Sequence, residues 1–214
     1  MWKKVVPLLD ERGHVVFPLT LTGMGERVHL ASKEVGIETA IQDVLNVITY
    51  NDLNDFILVG HSFAGKVVAA VADRTTQRVK MLLYLDAFRP QKVRTPQGSF
   101  DPNEFGKLKP GEYKIPLTEE ILDNIGKDVK GPDRKWMLSK MTPWPMKHST
   151  DPVTLSKNFD SVKSAYIFCT GGGDSVDEIL KEKLDGPHKV IDSGHWPMIT
   201  KPDELAEDML NLSG

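Results

Sequence analysis

Five short runs of β-branched and aliphatic residues, each bounded by turn residues, set the tightest limit on how this chain of 214 residues can fold. They lie at 14–18, 55–60, 80–85, 164–170 and 189–192. Apolar runs of this length, alternating with segments of helical period, are the pattern of βαβ units and a parallel sheet buried on both faces. Between the first two runs, Ile41, Val44, Leu45 and Ile48 fall on one face, and the spacing predicts a helix over 38–49. Val67, Val68 and Val71 mark a second helix beginning just after Ser62, and Val176, Ile179, Leu180 and Leu184 a third after Asp174. Pro202 opens the last, with Leu205, Met209 and Leu212 as its stripe. The expected class is α/β, a mostly parallel sheet with flanking helices.

Proline divides the chain. Nine of its fourteen prolines fall between Pro90 and Pro152, so residues 90–152 are expected to form an inserted cap subdomain, with the core in 1–89 and 153–214. Two weaker helices are predicted inside the insert, over 118–125 with Thr118 as N-cap and over 133–141. Trp136, Met137, Met141, Trp144 and Met146 crowd its second half. Such residues pack an insert onto its neighbour, and they can also line an apolar pocket beneath it; the two roles are compatible.

Charge excludes several classes of function. With 27 basic against 30 acidic side chains, a net charge of −3 and no long block of one sign, the chain is a poor match for nucleic acid or another polyanion. No apolar stretch approaches the roughly 18 residues of a membrane span. Asp10, Glu11 and Arg12 interrupt the N-terminal apolar run before it reaches signal-peptide length, and the expected location is cytoplasmic. Cys169 is the sole cysteine, which rules out an intramolecular disulfide and a multi-thiolate zinc site.

The run Phe56-Ile57-Leu58-Val59-Gly60-His61-Ser62-Phe63-Ala64-Gly65 reads as an apolar strand, a tight turn of small residues around one serine, and the start of a helix. That is the layout of a nucleophile elbow. A Gly-x-Ser triplet alone is common, and Ser62 as a simple helix N-cap is the plain alternative. A serine hydroxyl needs a base, and the base needs a carboxylate to hold one tautomer. Asp174 follows the 164–170 run across Gly171-Gly172-Gly173, and His195 follows the last run, which gives the order Ser, Asp, His with each residue after its own strand. Asp86, at the end of the 80–85 run, is a second candidate for the acid, with Asp177 and Asp192 behind it. The three glycines lack the Gly-Lys-Ser/Thr of a phosphate loop. His61 belongs to the turn itself and is a packing or substrate-side residue rather than the base. His14, His29, His148 and His188 have no partner at ligand spacing, so no metal is expected, and no cofactor is implied.

These motifs together resemble the α/β-hydrolase superfamily, and within it the branch of small esterases and hydroxynitrile lyases that includes plant methylesterases and their bacterial relatives. The matching text is Leu21-Thr22-Gly23-Met24-Gly25-Glu26-Arg27-Val28-His29-Leu30, the elbow, Tyr84-Leu85-Asp86-Ala87-Phe88, and Gly194-His195 with Lys201-Pro202-Asp203-Glu204-Leu205-Ala206. The resemblance implies a serine hydrolase acting on a small carboxylic ester through an acyl-enzyme, with Ser62, His195 and Asp174 as triad. It also implies an oxyanion N–H from Phe63, and His61, Trp136, Met141, Trp144 and Trp196 on the substrate side. Lyases of the branch carry a lysine directly after the histidine; Trp196 stands there in this sequence, which favours an esterase. A non-catalytic small-molecule binding protein on the same fold is the alternative reading.

Two departures accompany the likeness. In the elbow, Ala64 stands where the family usually has glycine. In the family, a strand ending in His-Gly precedes the helix that matches residues 2–13, and this sequence begins after it; a fragment or misassigned start of an active esterase is the expected explanation. That strand's turn normally gives the second oxyanion donor, worth about 10²–10³ in rate. An exposed sheet edge beside it would favour a homodimer.

Overall fold

The computed structural model describes residues 1–87, 111–172, 176, 180 and 184–214. They form two compact units, one of Met1–Leu19, Thr118–Lys140 and Ser164–Gly214, the other of Thr20–Leu117 and Met141–Lys163.

The second unit holds the serine turn. Helix α2 (Ile37–Tyr50) buries Ile37, Ala40, Ile41, Val44 and Ile48, the stripe expected from their spacing. Strand β1 (Phe56–His61) runs parallel to β2 (Val79–Leu85), with Gly60 level with Tyr84 and His61 with Leu85. Helix α3 (Ala64–Arg74) joins them, packs on both strands and on α2, and is buried from Gly65 to Ala72. A Cβ on Gly60 would stand 2.5 Å from Val68 Cγ2 and 3.0 Å from the Ala64 carbonyl oxygen, so the absence of a side chain is what lets strand and helix meet. The segment before α2 is tied to it by charge: Thr22 donates its N–H (2.6 Å) and its hydroxyl (2.9 Å) to Asp43, which Arg27 also approaches at 3.1 Å. Two short strands, β3 (Lys114–Ile115) and β4 (Trp144–Pro145), pair antiparallel, and a four-residue helix, α6 (Lys147–Thr150), follows β4.

In the first unit, α1 (Val5–Asp10) precedes helices α4 (Glu119–Ile125) and α5 (Gly131–Lys140), with Thr118 accepting the Ile121 N–H as the expected N-cap. Strands β5 (Ser164–Gly171) and β6 (His188–Gly194) run parallel. Every residue from Ser164 to Cys169 is buried, as a strand covered on both faces requires. Two helices close the chain, α7 (Pro197–Thr200) against β6 and α8 (Pro202–Ser213) against α1, β6 and α7.

The strand expected at 14–18 does not form. Helix α1 ends in a Schellman turn in which Gly13, at φ +83°, donates to the Asp10 carbonyl and His14 to that of Leu9. The run that follows leaves Val15 82% exposed. A β-branched run becomes a strand only where a neighbour completes its hydrogen-bond ladder, and no described residue does so here. The helix expected after Asp174 lies mostly outside the described residues. No helix among the described residues is long and apolar enough to cross a membrane.

Gly60→Ala tests the close approach of β1 and α3. Overpacking of this kind costs about 1–3 kcal/mol. The expected result is a lower urea midpoint with an unchanged m-value; an unchanged midpoint would show that Val68 can give way freely.

Candidate functional site

Ser62 sits in the two-residue turn, Ser62–Phe63, between β1 and α3, with φ at +56°. A left-handed backbone costs an L-residue roughly 1–2 kcal/mol, and the surrounding bonds hold it there. Ser62 donates its N–H to the Leu85 carbonyl (3.3 Å), while its own carbonyl accepts from Gly65 (3.0 Å) and that of Phe63 from Lys66 (3.2 Å). The turn therefore carries the serine at the carboxyl end of β1 and at the mouth of α3. Phe63 is already helical, at φ −56° and ψ −26°, so its amide belongs to the unpaired first turn of α3, where N–H groups are open to an anion. His61 ends β1, half-buried. Asp86, the runner-up acid, follows β2 with a φ of +40°.

A buried polar cluster stands beside this turn. The Phe63 ring stacks on His148 at 6.0 Å between centroids and 13° between planes. His148 is wholly buried, neither ring nitrogen has a hydrogen-bond partner, and burial pushes its imidazole down to about 4 against the opposing pull of Asp43 and Asp151. Next to it, Ser149 accepts the Trp144 indole N–H at 3.1 Å. Lys66, four residues past the serine, donates from Nζ to the carbonyls of Ser149 and Asp151, each at 2.7 Å. Burial pushes the Lys66 ammonium below the ordinary lysine value, with the charge on Asp151 drawing it back. The Asp151 carboxylate accepts the Ile37 N–H that opens α2 (3.2 Å). Of the expected substrate-side residues, Trp144 is thus linked to the elbow's own helix, and Met141 stands half-buried three residues before it.

The histidine turn is built in the other unit. His195 is half-buried, with its ring edge-on to Trp196 at 5.1 Å. Its backbone is held from α4 and the turn after it: the Ile125 carbonyl accepts the His195 N–H (2.8 Å), and Asp128 Oδ2 accepts that of Gly194 (2.7 Å). Trp196 packs on Gly126, where a Cβ would come within 2.6 Å of its ring. Trp136 is half-buried and has the Lys3 ammonium 3.6 Å from its ring centroid. Asp174 and Asp177 lie outside the described residues. Asp192 accepts the Thr170 hydroxyl at 2.8 Å.

Sequence reasoning missed Lys66, His148, Asp151 and Asp128. Lys66 carried a usable signal, a lone charge inside the uncharged run from Phe63 to Ala72 at the start of a helix expected to face a sheet. The other three carried none, because each acts on a residue distant in sequence, Asp151 and Asp128 through hydrogen bonds and His148 through the stack of its ring on Phe63.

The alpha/beta hydrolase family model matches residues 1–208. A carbendazim hydrolyzing esterase of Nocardioides sp. (strain SG-4G) is 30% identical over 225 residues, covering 99% of this chain and 93% of that protein. An alpha-hydroxynitrile lyase of Arabidopsis thaliana is 34% identical over 240 residues, covering 98% and 90%. An extracellular alpha/beta-hydrolase from a Paenibacillus species has a similar fold, with a TM-score of 0.80 at 22% identity over 99% of this chain and 92% of that one.

The buried histidine makes stability depend on pH. With its folded value at about 4 and its ordinary value at 6.5, the unfolded chain binds a proton that the folded chain refuses throughout that interval. Stability is full above pH 6.5 and declines as pH falls through 4, by about 3 kcal/mol from this group. His148→Phe keeps a ring against Phe63 and removes the titration. Urea unfolding at pH 7 and pH 4 is expected to show the wild type losing more stability than the variant; equal losses would assign the acid sensitivity to carboxylates.

Proposed function

From the premise that the chain belongs to the α/β-hydrolase family, with the family's mostly parallel sheet and flanking helices, we propose that it is a serine hydrolase of small carboxylic esters. The observation that carries this reading is the left-handed backbone at Ser62, in a tight turn between a parallel strand and a helix N-terminus. A plain N-cap serine has extended backbone and needs no such strain. Ser62 Oγ attacks the ester carbonyl as His195 takes its proton, and the tetrahedral oxyanion lies against the Phe63 N–H. His195 then returns the proton to the departing alcohol. Water hydrolyses the acyl-Ser62 ester by the same steps in reverse order. Asp174 orients His195, residues 90–152 form the cap, and Trp144 walls the acyl group, with His61, Met141, Trp136 and Trp196 on the substrate side. The reaction takes place in the cytoplasm.

Cyanohydrin cleavage is the competing reading, because one relative is a lyase. Trp196 weighs against it, since that position holds lysine in lyases of this branch.

Covalent labelling with a fluorophosphonate probe, read by intact mass and peptide mapping, is expected at Ser62 and nowhere in Ser62→Ala. Turnover of p-nitrophenyl acetate should fall at least about 10³-fold in that variant. Persistent hydrolysis would reject the nucleophile, and release of cyanide from mandelonitrile without ester turnover would favour the lyase. The acid is tested separately. Asp174→Asn should lower kcat about 10⁴-fold, as loss of the correct histidine tautomer does, and Asp86→Asn should leave it within a few fold; the reverse pattern would move the role to Asp86.

A further inference from the structure

Lys66 interrupts the buried run of α3 and is itself only 3% exposed. Its Nζ donates to backbone carbonyls at the end of α6, a helix of four residues too short to satisfy its own C-terminal oxygens. A cation at that end also matches the helix dipole. The ester chemistry of Ser62 and His195 needs no ammonium at this place, and an apolar side chain of the same length would be buried there at lower desolvation cost. What the charge secures is the backbone of Ser149, and through it the buried bond that the Trp144 indole N–H donates to Ser149 Oγ. The Asp151 carboxylate fastens the same segment to the start of α2.

We propose that Lys66 is a positioning residue that sets the acyl-group selectivity of the ester site by fixing the Trp144 indole through the backbone of Ser149. This rests on Ser62 as nucleophile and Trp144 as a wall of the acyl pocket. Lys66 touches neither the ester nor the reacting atoms.

The test compares wild type, Lys66→Met, Trp144→Phe and the double variant on p-nitrophenyl acetate, butyrate and octanoate. Lys66→Met is expected to change the ratio of kcat/KM between acetate and octanoate by about tenfold, carried mainly in KM. Trp144→Phe should move the ratio in the same direction, and the double variant no further than the larger single one. Ser149→Ala leaves the carbonyl acceptors of Lys66 in place, and should reproduce the shift even if Lys66→Met fails to fold. The indole N–H resonance of Trp144, assigned by its loss in Trp144→Phe, should move in Lys66→Met. An unchanged ratio in folded Lys66→Met, an equal loss on all three esters, or effects that multiply in the double variant would each overturn the proposal. Wild-type turnover that does not depend on Ser62 would reject the esterase reading instead. In that event an unmoved indole resonance overturns the positioning of Trp144 on its own.

Discussion

The backbone at Ser62 turns through a conformation that L-residues avoid, and the architecture around it serves to hold that turn. Gly60 gives up its side chain so that β1 and α3 can approach. The Ser62 N–H extends the β1–β2 ladder by one bond to Leu85, while the Ser62 carbonyl begins the hydrogen-bond pattern of α3. Strand pairing on one side and helix propagation on the other thus over-determine a strained residue, which is the condition under which such strain persists. Ala64, in place of the glycine expected of the family, sits at a helical position where a methyl group is welcome. The turn therefore tolerates it.

A second constraint is the charge beneath that helix. A buried ammonium is costly unless several acceptors replace its water, and the carbonyls of Ser149 and Asp151 do so here at 2.7 Å. The arrangement stabilises both partners. Four residues cannot sustain a helix alone, because nucleation is unfavourable at that length. Lys66 and the Asp151–Ile37 bond give the 147–151 segment a fixed place between α2 and α3, and His148 is carried to the Phe63 ring as a result. The unpartnered imidazole is stable there only while it is neutral.

What the sequence made legible follows from range. Strands β1, β2 and β5 and helices α2 and α8 announce themselves through local periodicity, and Thr118 through cap chemistry confined to four residues. The serine turn was readable because strand, turn and helix are contiguous. The 14–18 run was misread for the opposite reason: its residues have strand propensity, yet a strand is completed by a neighbour, and propensity says nothing of one. Lys66 reaches acceptors 83 and 85 residues away, and Asp128 a backbone amide 66 residues away; the lone charge of Lys66 shows locally, but the partner of neither residue does. Electrostatic supports of the site are long-range features, while the elbow is local.

Cys169 lies in the middle of β5, fully buried and level with Ile191 of β6. A thiol reagent can reach it only when the strand pair opens, which makes the chain's sole sulfhydryl a built-in reporter of large-scale unfolding. The surface, by contrast, presents no competing thiol. A cysteine introduced at any exposed position would therefore accept a single fluorophore or spin label while the native one stays silent, and copies of the folded chain have no accessible sulfur through which to become crosslinked on storage in air.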